Sequence, residues 1–368
     1  NMQIESVELF RVEIPLHTPY ITRLGSFASI ETIVGEVHDA DGRRGIGDAT
    51  IIEGYTDETR DGGWRICQAL AERLIGLDST AAEAVLDERR ASDPHAVSVL
   101  QVAIEMLDGD ALLASPAAPE RVPILGAINT KDPDRLPDEI EALIEEGYET
   151  LKVKVGWDVD ADLARLSRIR DLNAGRAVLR VDANQGFTRS DGARFAAALE
   201  PGDDLQLFEQ PCDKADWDSN AAVAAVSRVP VMLDESIYAA DDIERAASID
   251  GCGFVKLKIS KLTGTGRLAG GLHRLRELGI TPVVGNGAAS DVGCLVEACV
   301  ARSTVDCAGE NNGFLKNRVQ LLAQPLRFES GAIVLEPGFS TALDRTVVER
   351  YARETVRFGT PRSRPQGG

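Results

Sequence analysis

Basic residues are in short supply in this 368-residue chain, which has 40 Lys and Arg against 59 Asp and Glu and a formal net charge of −19. Such a surface repels nucleic acid and anionic membranes, so we expect neither as a partner. The chain also lacks the run of roughly 20 apolar residues that a membrane-spanning helix needs. It shows no basic and apolar leader segment, and the sequence therefore predicts a cytoplasmic protein.

Cysteine pairs at metal-binding or disulfide-framework spacing are absent as well. The six cysteines are spread from Cys67 to Cys307, and none forms a CxxC pair. In a chain of this length the pattern indicates reduced, structural thiols. The apolar content of 43 % and the charged content of 27 % are those of an ordinary globular protein, long enough for one large barrel and a smaller domain.

What the sequence does contain is a repeated pattern of short, apolar, β-branched runs that end in a charged residue. These charged residues are Lys154, Asp182, Glu209, Asp234 and Lys258, and they are separated by 28, 27, 25 and 24 residues. Such a period is the length of one strand, one helix and two short loops. It predicts an α/β fold, a parallel (β/α) barrel whose active site lies at the carboxyl ends of the strands.

The barrel is predicted to occupy residues 121–322. Apolar, helix-periodic segments lie between its strands. The eight strands are expected at 122–128, 151–155, 177–182, 205–209, 229–234, 254–259, 281–286 and, as a short last strand, 303–309.

The remaining residues predict a second, smaller domain. Residues 1–120 show broken apolar alternation followed by helical periodicity, which indicates an α+β capping domain. The hairpin pattern at 326–338 has no place in the barrel, so we expect it to extend the amino-terminal sheet. Residues 323–360 would then complete the capping domain. The polar, Pro- and Gly-rich residues 361–368 are expected to be disordered.

Three carboxylates, Asp182, Glu209 and Asp234, end consecutive predicted strands. Hard oxygen ligands with no His or Cys beside them suit Mg²⁺, which keeps its other octahedral positions for water and substrate oxygen. A magnesium ion held there could accept a substrate carboxylate and stabilise the enediolate formed when the α-proton leaves. The alternative is that each carboxylate only pairs with a lysine at the barrel mouth.

Lysines flank these carboxylates on both sides of the predicted barrel. Lys152 and Lys154 are two residues apart on one strand, so they face the same way and each disfavours the charge of the other. Lys258 lies four strands further on, on the opposite wall. A lysine acts as a base only if its pKa falls towards neutrality, which burial and nearby cations promote. Lys256 and Lys261 are interpreted as solvated or structural lysines.

Five segments of this region, taken in their order and spacing, resemble the enolase superfamily: LKVKVG, VDANQGF, FEQP, LDES and KLKISKLTG. The two opposed lysines are similar to those of its mandelate racemase/muconate-lactonizing-enzyme branch, in the muconate-lactonizing-enzyme subgroup. The resemblance covers essentially the whole chain, and it implies a modified (β/α)8 barrel of the (β/α)7β type under a capping domain. It implies a site with Asp182, Glu209 and Asp234 as Mg²⁺ ligands, Lys154 and Lys258 as acid/base residues, and Lys152 as the neighbour that tunes Lys154.

The same resemblance implies that two capping segments, here 17–29 and 48–57, close over the substrate. The candidate contacts in these segments are Tyr20, Phe27, Ile52 and Tyr55, and the alternative for them is ordinary loop packing. On the barrel side the candidate contacts are Asn184, Asn286, Glu310 and Asn312. The expected partner is a small-molecule carboxylate, and we expect a homo-oligomer.

Departures from the family pattern limit the substrate prediction. None of the four histidines lies where mandelate-racemase relatives place a histidine base, after the sixth strand. In the lysine subgroup an acidic residue often ends the seventh strand before a serine, whereas this chain has Ala289 before Ser290. Glu310 and Asn312 occupy the positions where dipeptide epimerases carry Asp-x-Asp to bind the ammonium group of the substrate. Glu310 and Gly313 instead resemble the glutamate–glycine pattern of the muconate cycloisomerases. These departures favour a modest distal group, largely uncharged or N-substituted, over a free α-ammonium group.

The leading hypothesis is a Mg²⁺-dependent racemase or epimerase of an N-substituted or cyclic amino acid, with Lys154 and Lys258 working on opposite faces. Cycloisomerisation or dehydration of a small carboxylic acid needs only one lysine and stays open. A Schiff-base aldolase would also use a barrel lysine, but it would not need three carboxylates. A binding protein on this scaffold would be expected to have lost a ligand or a lysine, and none is lost.

Overall fold

Alternating apolar residues in the first fifty positions build an antiparallel sheet. In the computed structural model, which describes residues 2–22 and 25–360, the sheet contains β1 (Ile4–Thr22), β2 (Gly25–Asp39) and β3 (Arg44–Thr50), paired in that order. Gly42, with φ at +77°, forms the tight turn between β2 and β3, as its place after Asp41 predicts. The helices α1 (Arg60–Leu74), α2 (Ser79–Arg90) and α3 (Pro94–Leu107) pack on one face of this sheet.

The second part of the chain alternates strands with helices. Its strands are β4 (Glu120–Pro123), β5 (Gly126–Ile128), β6 (Thr150–Lys154), β7 (Val178–Asp182), β8 (Leu205–Glu209), β9 (Val231–Leu233), β10 (Cys252–Leu257) and β11 (Thr281–Val284). Its helices are α4 (Leu136–Glu145), α5 (Val159–Asn173), α6 (Arg189–Ala198), α7 (Trp217–Val226), α8 (Ala240–Ala247), α9 (Ile259–Leu262), α10 (Thr265–Glu277) and α11 (Asp291–Thr304). Strands β5 to β11 form one curled parallel sheet in chain order, which confirms the predicted barrel architecture.

Strict alternation within the strands separates the apolar core from the polar interior of the barrel. In β6, Leu151 and Val153 are fully buried in the main apolar cluster that includes the surrounding helices, while Lys152 and Lys154 point the other way. A smaller apolar cluster of Leu207, Met232 and Val283 lies at barrel positions below the charged strand ends. The alternation therefore places the charged side chains inside the barrel, at the ends of rigid strands.

The barrel closes differently from the prediction at its first and last strands. The predicted strand 122–128 is split, because β4 pairs outside the barrel and only β5 pairs with β6. The predicted eighth strand at 303–309 is wrong: α11 continues to Thr304, whose hydroxyl donates to Val300 O at 2.8 Å. A single parallel bridge, Ile124 to Gly309, takes its place. Backbone N–H groups then link Leu125 to Gly309 O (2.9 Å) and Glu310 to Val284 O (2.8 Å).

The carboxyl-terminal hairpin also lies elsewhere than predicted. β12 (Arg327–Glu329) and β13 (Ala332–Leu335) form a three-stranded sheet with β4, so the prediction that 326–338 extends the amino-terminal sheet is wrong. All four residues of β13 are buried, a burial that the open edge of the amino-terminal sheet does not provide. After α12 (Arg345–Tyr351), the more polar strand β14 (Ala352–Gly359) pairs with β1 at that edge.

Two further predictions concern the ends and the hydropathy of the chain. The segment 361–368, expected to be disordered, lies outside the described residues. In the part of the chain that the structure describes, no helix has both the length and the hydropathy required to cross a bilayer.

Candidate active site

The charged strand ends predicted from the sequence lie side by side in the structure. Asp182 ends β7 and Glu209 ends β8, with Asp234 directly after β9. Left-handed backbone follows two of these carboxylates, with φ of +41° at Asn184 and +36° at Gln210, a conformation that is uncommon for non-glycine residues and often marks functional sites. Several charged side chains at this end of the barrel are at most 7 % exposed, among them Lys152, Lys154, Asp182, Glu209, Asp234, Lys256 and Lys258.

Lys152 and Lys154 face the same side, as their spacing predicts. The Nζ atom of Lys152 lies 2.7 Å from Asp182 Oδ2 and 3.0 Å from Glu209 Oε2. Lys154 Nζ donates to Asp182 Oδ2 at 3.0 Å and to Asn184 Oδ1 at 2.7 Å. Burial has the largest single effect and lowers the pKa of Lys154, as Lys152 also does, but Asp182, Tyr20 and Glu310 act together in the opposite direction and the pKa is raised. The fall in pKa expected for Lys154 is therefore absent in this arrangement.

Lys258 stands on the opposite wall. Its Nζ lies 3.4 Å from Asp234 Oδ2 and 4.0 Å from the ring centre of Tyr55. The Tyr55 hydroxyl comes down from the capping segment and donates to Asp234 Oδ1 at 2.5 Å. Asp234 therefore joins the capping segment to the wall that carries Lys258.

Of the two interpretations of Lys256 and Lys261, solvated or structural, the structure excludes the solvated one, because both side chains are buried. Lys256 Nζ lies 2.5 Å from Glu209 Oε1 and 3.2 Å from Asp234 Oδ2, and it also contacts Glu310. Lys261 Nζ donates to the backbone oxygen of Asp234 at 2.7 Å. Burial lowers the pKa of Lys261 to about 8, against the opposing effect of Asp234. The sequence does contain a signal for Lys256: it is two residues from Lys258, as Lys152 is from Lys154, and strand residues at this spacing face the same side.

A small cavity of about 40 Å³ separates the lysines of the two walls. It is smaller than a pocket that holds a substrate, so binding requires the capping segments or side chains to shift. The wall residues from the capping segments and α3 are Tyr20, Phe27, Thr50, Ile52, Tyr55 and His95, and those from the barrel are Lys152, Lys154, Asn184, Asp234, Lys256, Lys258, Asn286, Gly287, Ala288 and Glu310.

Seven of the eight candidate substrate contacts line this cavity, and Asn312 does not. The Asn312 amide instead donates to Leu125 O at 2.8 Å, because the 309–310 link that closes the barrel brings these two segments together. The segment 17–29, expected to be a loop, is mostly paired strand: Tyr20 pairs with Phe27 near the end of the β1–β2 ribbon. Arg23 and Leu24 lie outside the described residues.

His95 is a wall residue that sequence reasoning missed. It lies in the first turn of α3, and its Nδ1 is 2.6 Å from Glu58 Oε1. The backbone N–H groups of His95 and Ala96 also donate to Glu58. The available signal is Pro94, a residue favoured at helix starts, which places His95 at the start of a capping helix.

The donor chemistry of the carboxylates determines whether they suit a divalent cation. Among the described residues, no three Asp, Glu, His or Cys side chains are placed so as to hold a metal ion, because the ammonium groups of Lys152 and Lys256 lie between neighbouring carboxylates. Glu235 beside them is buried, and its Oε2 has no hydrogen-bond partner. Buried, oxygen-only donors with one unpartnered oxygen fit Mg²⁺ chemically, provided that the two ammonium groups give way.

The comparisons with known proteins agree with this fold. Residues 135–347 match a family model described as enolase C-terminal domain-like. The chain is similar to N-succinyl-L-Arg/Lys racemase of Bacillus cereus, with 24 % identity over 339 residues and 89 % of each chain covered. It is also similar to aromatic dipeptide epimerase of Herpetosiphon aurantiacus, with 29 % identity over 326 residues that cover 84 % of this chain and 88 % of that protein.

A solved structure gives the same result at the level of the fold. The dipeptide epimerase from Cytophaga hutchinsonii, complexed with Mg and the dipeptide D-Ala-L-Val, superposes with a TM-score of 0.85. The match covers 97 % of this chain and 100 % of that one at 23 % sequence identity. At that identity the likeness shows the fold alone.

Proposed function

The chain belongs to the enolase superfamily, and on this premise we propose that it removes and returns the proton α to a substrate carboxylate, as a racemase or epimerase of an N-substituted or cyclic amino acid. One observation carries the proposal: Lys154 and Lys258 stand on opposite walls of one cavity, with buried carboxylates between them. An amine on each face of the α-carbon is the arrangement that inversion at that carbon needs.

Each lysine has its own support from the surrounding chain. Lys154 is held by Asn184 Oδ1 at 2.7 Å, and Lys258 lies against the Tyr55 ring. An Asp182 carboxylate committed to another cation would no longer raise the pKa of Lys154, whereas burial and Lys152 would still lower it. Lys154 would then be suited to accept a proton at Nζ near neutral pH.

Asp182, Glu209 and Asp234 are the residues that would hold Mg²⁺. When bound, the cation would supply positive charge that offsets the negative charge developing on the substrate carboxylate. The capping residues Tyr20 and Tyr55 would cover the reacting carbon and exclude water from it. The named racemase and epimerase relatives support this reaction class.

The observed walls favour inversion over the other reactions considered. Cycloisomerisation and dehydration need one lysine to move protons, whereas here the second lysine is equally buried and also lines the cavity. A Schiff-base aldolase would also use a barrel lysine, but it would not need the buried carboxylates Asp182, Glu209 and Asp234.

The experiment is a screen of carboxylic acids with the protein and Mg²⁺ in D₂O, read by mass for deuterium at the α-carbon and by chiral chromatography for inversion. We expect N-acylated or proline-type amino acids to gain α-deuterium and to racemise. The proposal is refuted if a carboxylate is turned over without any exchange at the α-carbon.

A further inference from the structure

Lys316 is a cation close to the cavity with no acidic partner of its own. It ends a single 3₁₀ turn, Gly313–Lys316, and its side chain is half-buried. Its Nζ donates to Gly287 O at 2.6 Å and lies 3.4 Å from Asn312 Oδ1. Within residues 2–22 and 25–360 it forms no salt bridge, and the remaining contact of its Nζ is with the Tyr20 ring, 4.6 Å from the centre.

Such a cation is expensive to keep without a counter-charge. Burial lowers the pKa of Lys316 to about 7, and Lys154 and Lys152 act in the same direction. Glu310 opposes them, but its carboxylate already contacts the ammonium groups of Lys152 and Lys256. The protein therefore places a positive charge here that its own carboxylates do not neutralise directly.

The ammonium group of Lys316 lies immediately behind Gly287, which lines the cavity. A methyl group added at Gly287 would sit 3.3 Å from Lys316 Nζ, 3.4 Å from the Tyr20 hydroxyl and 3.6 Å from Glu310 Cδ. The absence of a side chain at Gly287 therefore leaves space beside Lys316 Nζ, at a residue that lines the cavity. The Tyr20 ring is close to both lysines, with its centre 4.6 Å from Lys316 Nζ and 5.9 Å from Lys154 Nζ.

We propose that Lys316 binds a second anionic group of the substrate, so that the substrate is a dicarboxylate, or another dianion, rather than a carboxylate with a neutral distal group. The inference rests on the proposed function, because it takes the first carboxylate to lie between Lys154 and Lys258. It also replaces the sequence-based expectation of a largely uncharged distal group.

The test uses two matched ligand pairs that differ only in the distal charge. N-succinyl-leucine is compared with N-succinamoyl-leucine, and N-acetyl-glutamate with N-acetyl-glutamine, so that the two pairs place the anion on the acyl side or on the side-chain side. Binding is measured by calorimetry with Mg²⁺ present, and α-deuterium exchange is measured separately in D₂O. The binding measurement decides the role of Lys316 whether or not exchange occurs, so failure of the proposed function is distinguished from failure of this inference.

Three variants and one control complete the test. Lys316→Met should weaken binding of the preferred anionic ligand at least tenfold and change its neutral partner less than threefold. Lys316→Arg should retain the preference for the anionic ligand over its neutral partner. The variant should keep this preference at pH 9, whereas the wild type should lose part of it there as Lys316 loses its proton. Gly287→Ala should weaken the anionic ligand by obstructing the path without removing charge. Lys131→Met is the control, because this lysine lies over Trp157 and does not line the cavity.

Three outcomes overturn the inference. The first is a wild-type protein that prefers neither member of either pair. The second is a Lys316→Met variant that keeps the wild-type preference. The third is a Lys131→Met variant that loses the preference as Lys316→Met does, because a general loss of positive charge would then explain the effect.

Discussion

Replacing Lys256 with Met tests whether the buried lysines and carboxylates form one interdependent cluster. The ammonium group of Lys256 contacts Glu209, Asp234 and Glu310, and the methionine side chain fills a similar volume without the charge. Lys152 still contacts Glu209 and Glu310 after the substitution, so these two carboxylates keep one cationic partner. Removing one partner of a buried ion pair costs about 3–5 kcal/mol, because the remaining charges are left uncompensated.

The expected shift in melting temperature follows from the size of the chain. An unfolding entropy of about 2.1 cal/mol/K per residue gives roughly 0.8 kcal/mol/K for this chain, so Tm should fall by about 4–6 °C. The fall in Tm of Lys256→Met should have its full size between pH 6 and 9. The pKa of Lys256 is raised, so its contribution is complete below the ordinary lysine pKa. Below about pH 5 the deficit should shrink, as the carboxylates freed in the variant take up protons.

The assay is thermal unfolding followed by circular dichroism, with Lys214→Met as the matched control. Lys214 pairs with the exposed Asp57 at 2.8 Å, and a surface pair of this kind contributes about 0–1 kcal/mol. Calorimetry should also show that Lys256→Met binds Mg²⁺ at least tenfold more tightly, because a competing cation is gone. A variant as stable as the wild type, with unchanged Mg²⁺ affinity, would refute the cluster.

Three further predictions follow from single contacts. Tyr55→Phe removes the 2.5 Å hydrogen bond to Asp234, and urea unfolding should show a loss of about 1.5–3 kcal/mol. Burial raises the pKa of Glu235 from 4.5 to about 8, so stability should fall as pH rises through that window, and Glu235→Gln should flatten the dependence of Tm on pH. Chelation of divalent cations should abolish α-deuterium exchange and Mg²⁺ should restore it; exchange that persists in metal-free protein would contradict the assignment.

The strand ends could be predicted because their pattern is local. Each combines β-branched alternation with a charged terminal residue, and the near-constant spacing of these ends fixes their common edge. Asp182, Glu209 and Asp234 therefore lie together as expected. The raised pKa of Lys154 does not follow from the sequence, because it depends on contacts such as that with Asp182, which spacing alone does not determine.

The closure of the barrel and the pairing of the carboxyl-terminal hairpin also depend on contacts that local sequence patterns do not determine. The residues 303–309 continue an apolar helix before they turn, and the decisive contacts at Gly309 are backbone hydrogen bonds to distant residues. The alternation at 326–338 identifies a hairpin correctly but does not identify its partner, since β4 and β1 each pair with a strand from the carboxyl-terminal part of the chain.

The side chains that were missed come from segments outside the repeating pattern. Lys316 follows the barrel closure and His95 begins a capping helix, and neither has a neighbour in the sequence that indicates a role in the site. Both are placed by packing between the capping segments and the barrel, which depends on long-range contacts rather than on local periodicity.

The most direct test of the account is the stereochemistry of exchange in Lys154→Ala and Lys258→Ala. With an N-substituted amino acid that the wild type racemises in D₂O, each variant should still exchange the α-proton of one enantiomer without inverting it, and the two variants should act on opposite enantiomers. Both should bind Mg²⁺ as the wild type does, which shows that the carboxylates are intact. If both variants racemise the substrate at near wild-type rates, or lose exchange with both enantiomers while still binding Mg²⁺, the two-lysine account is contradicted.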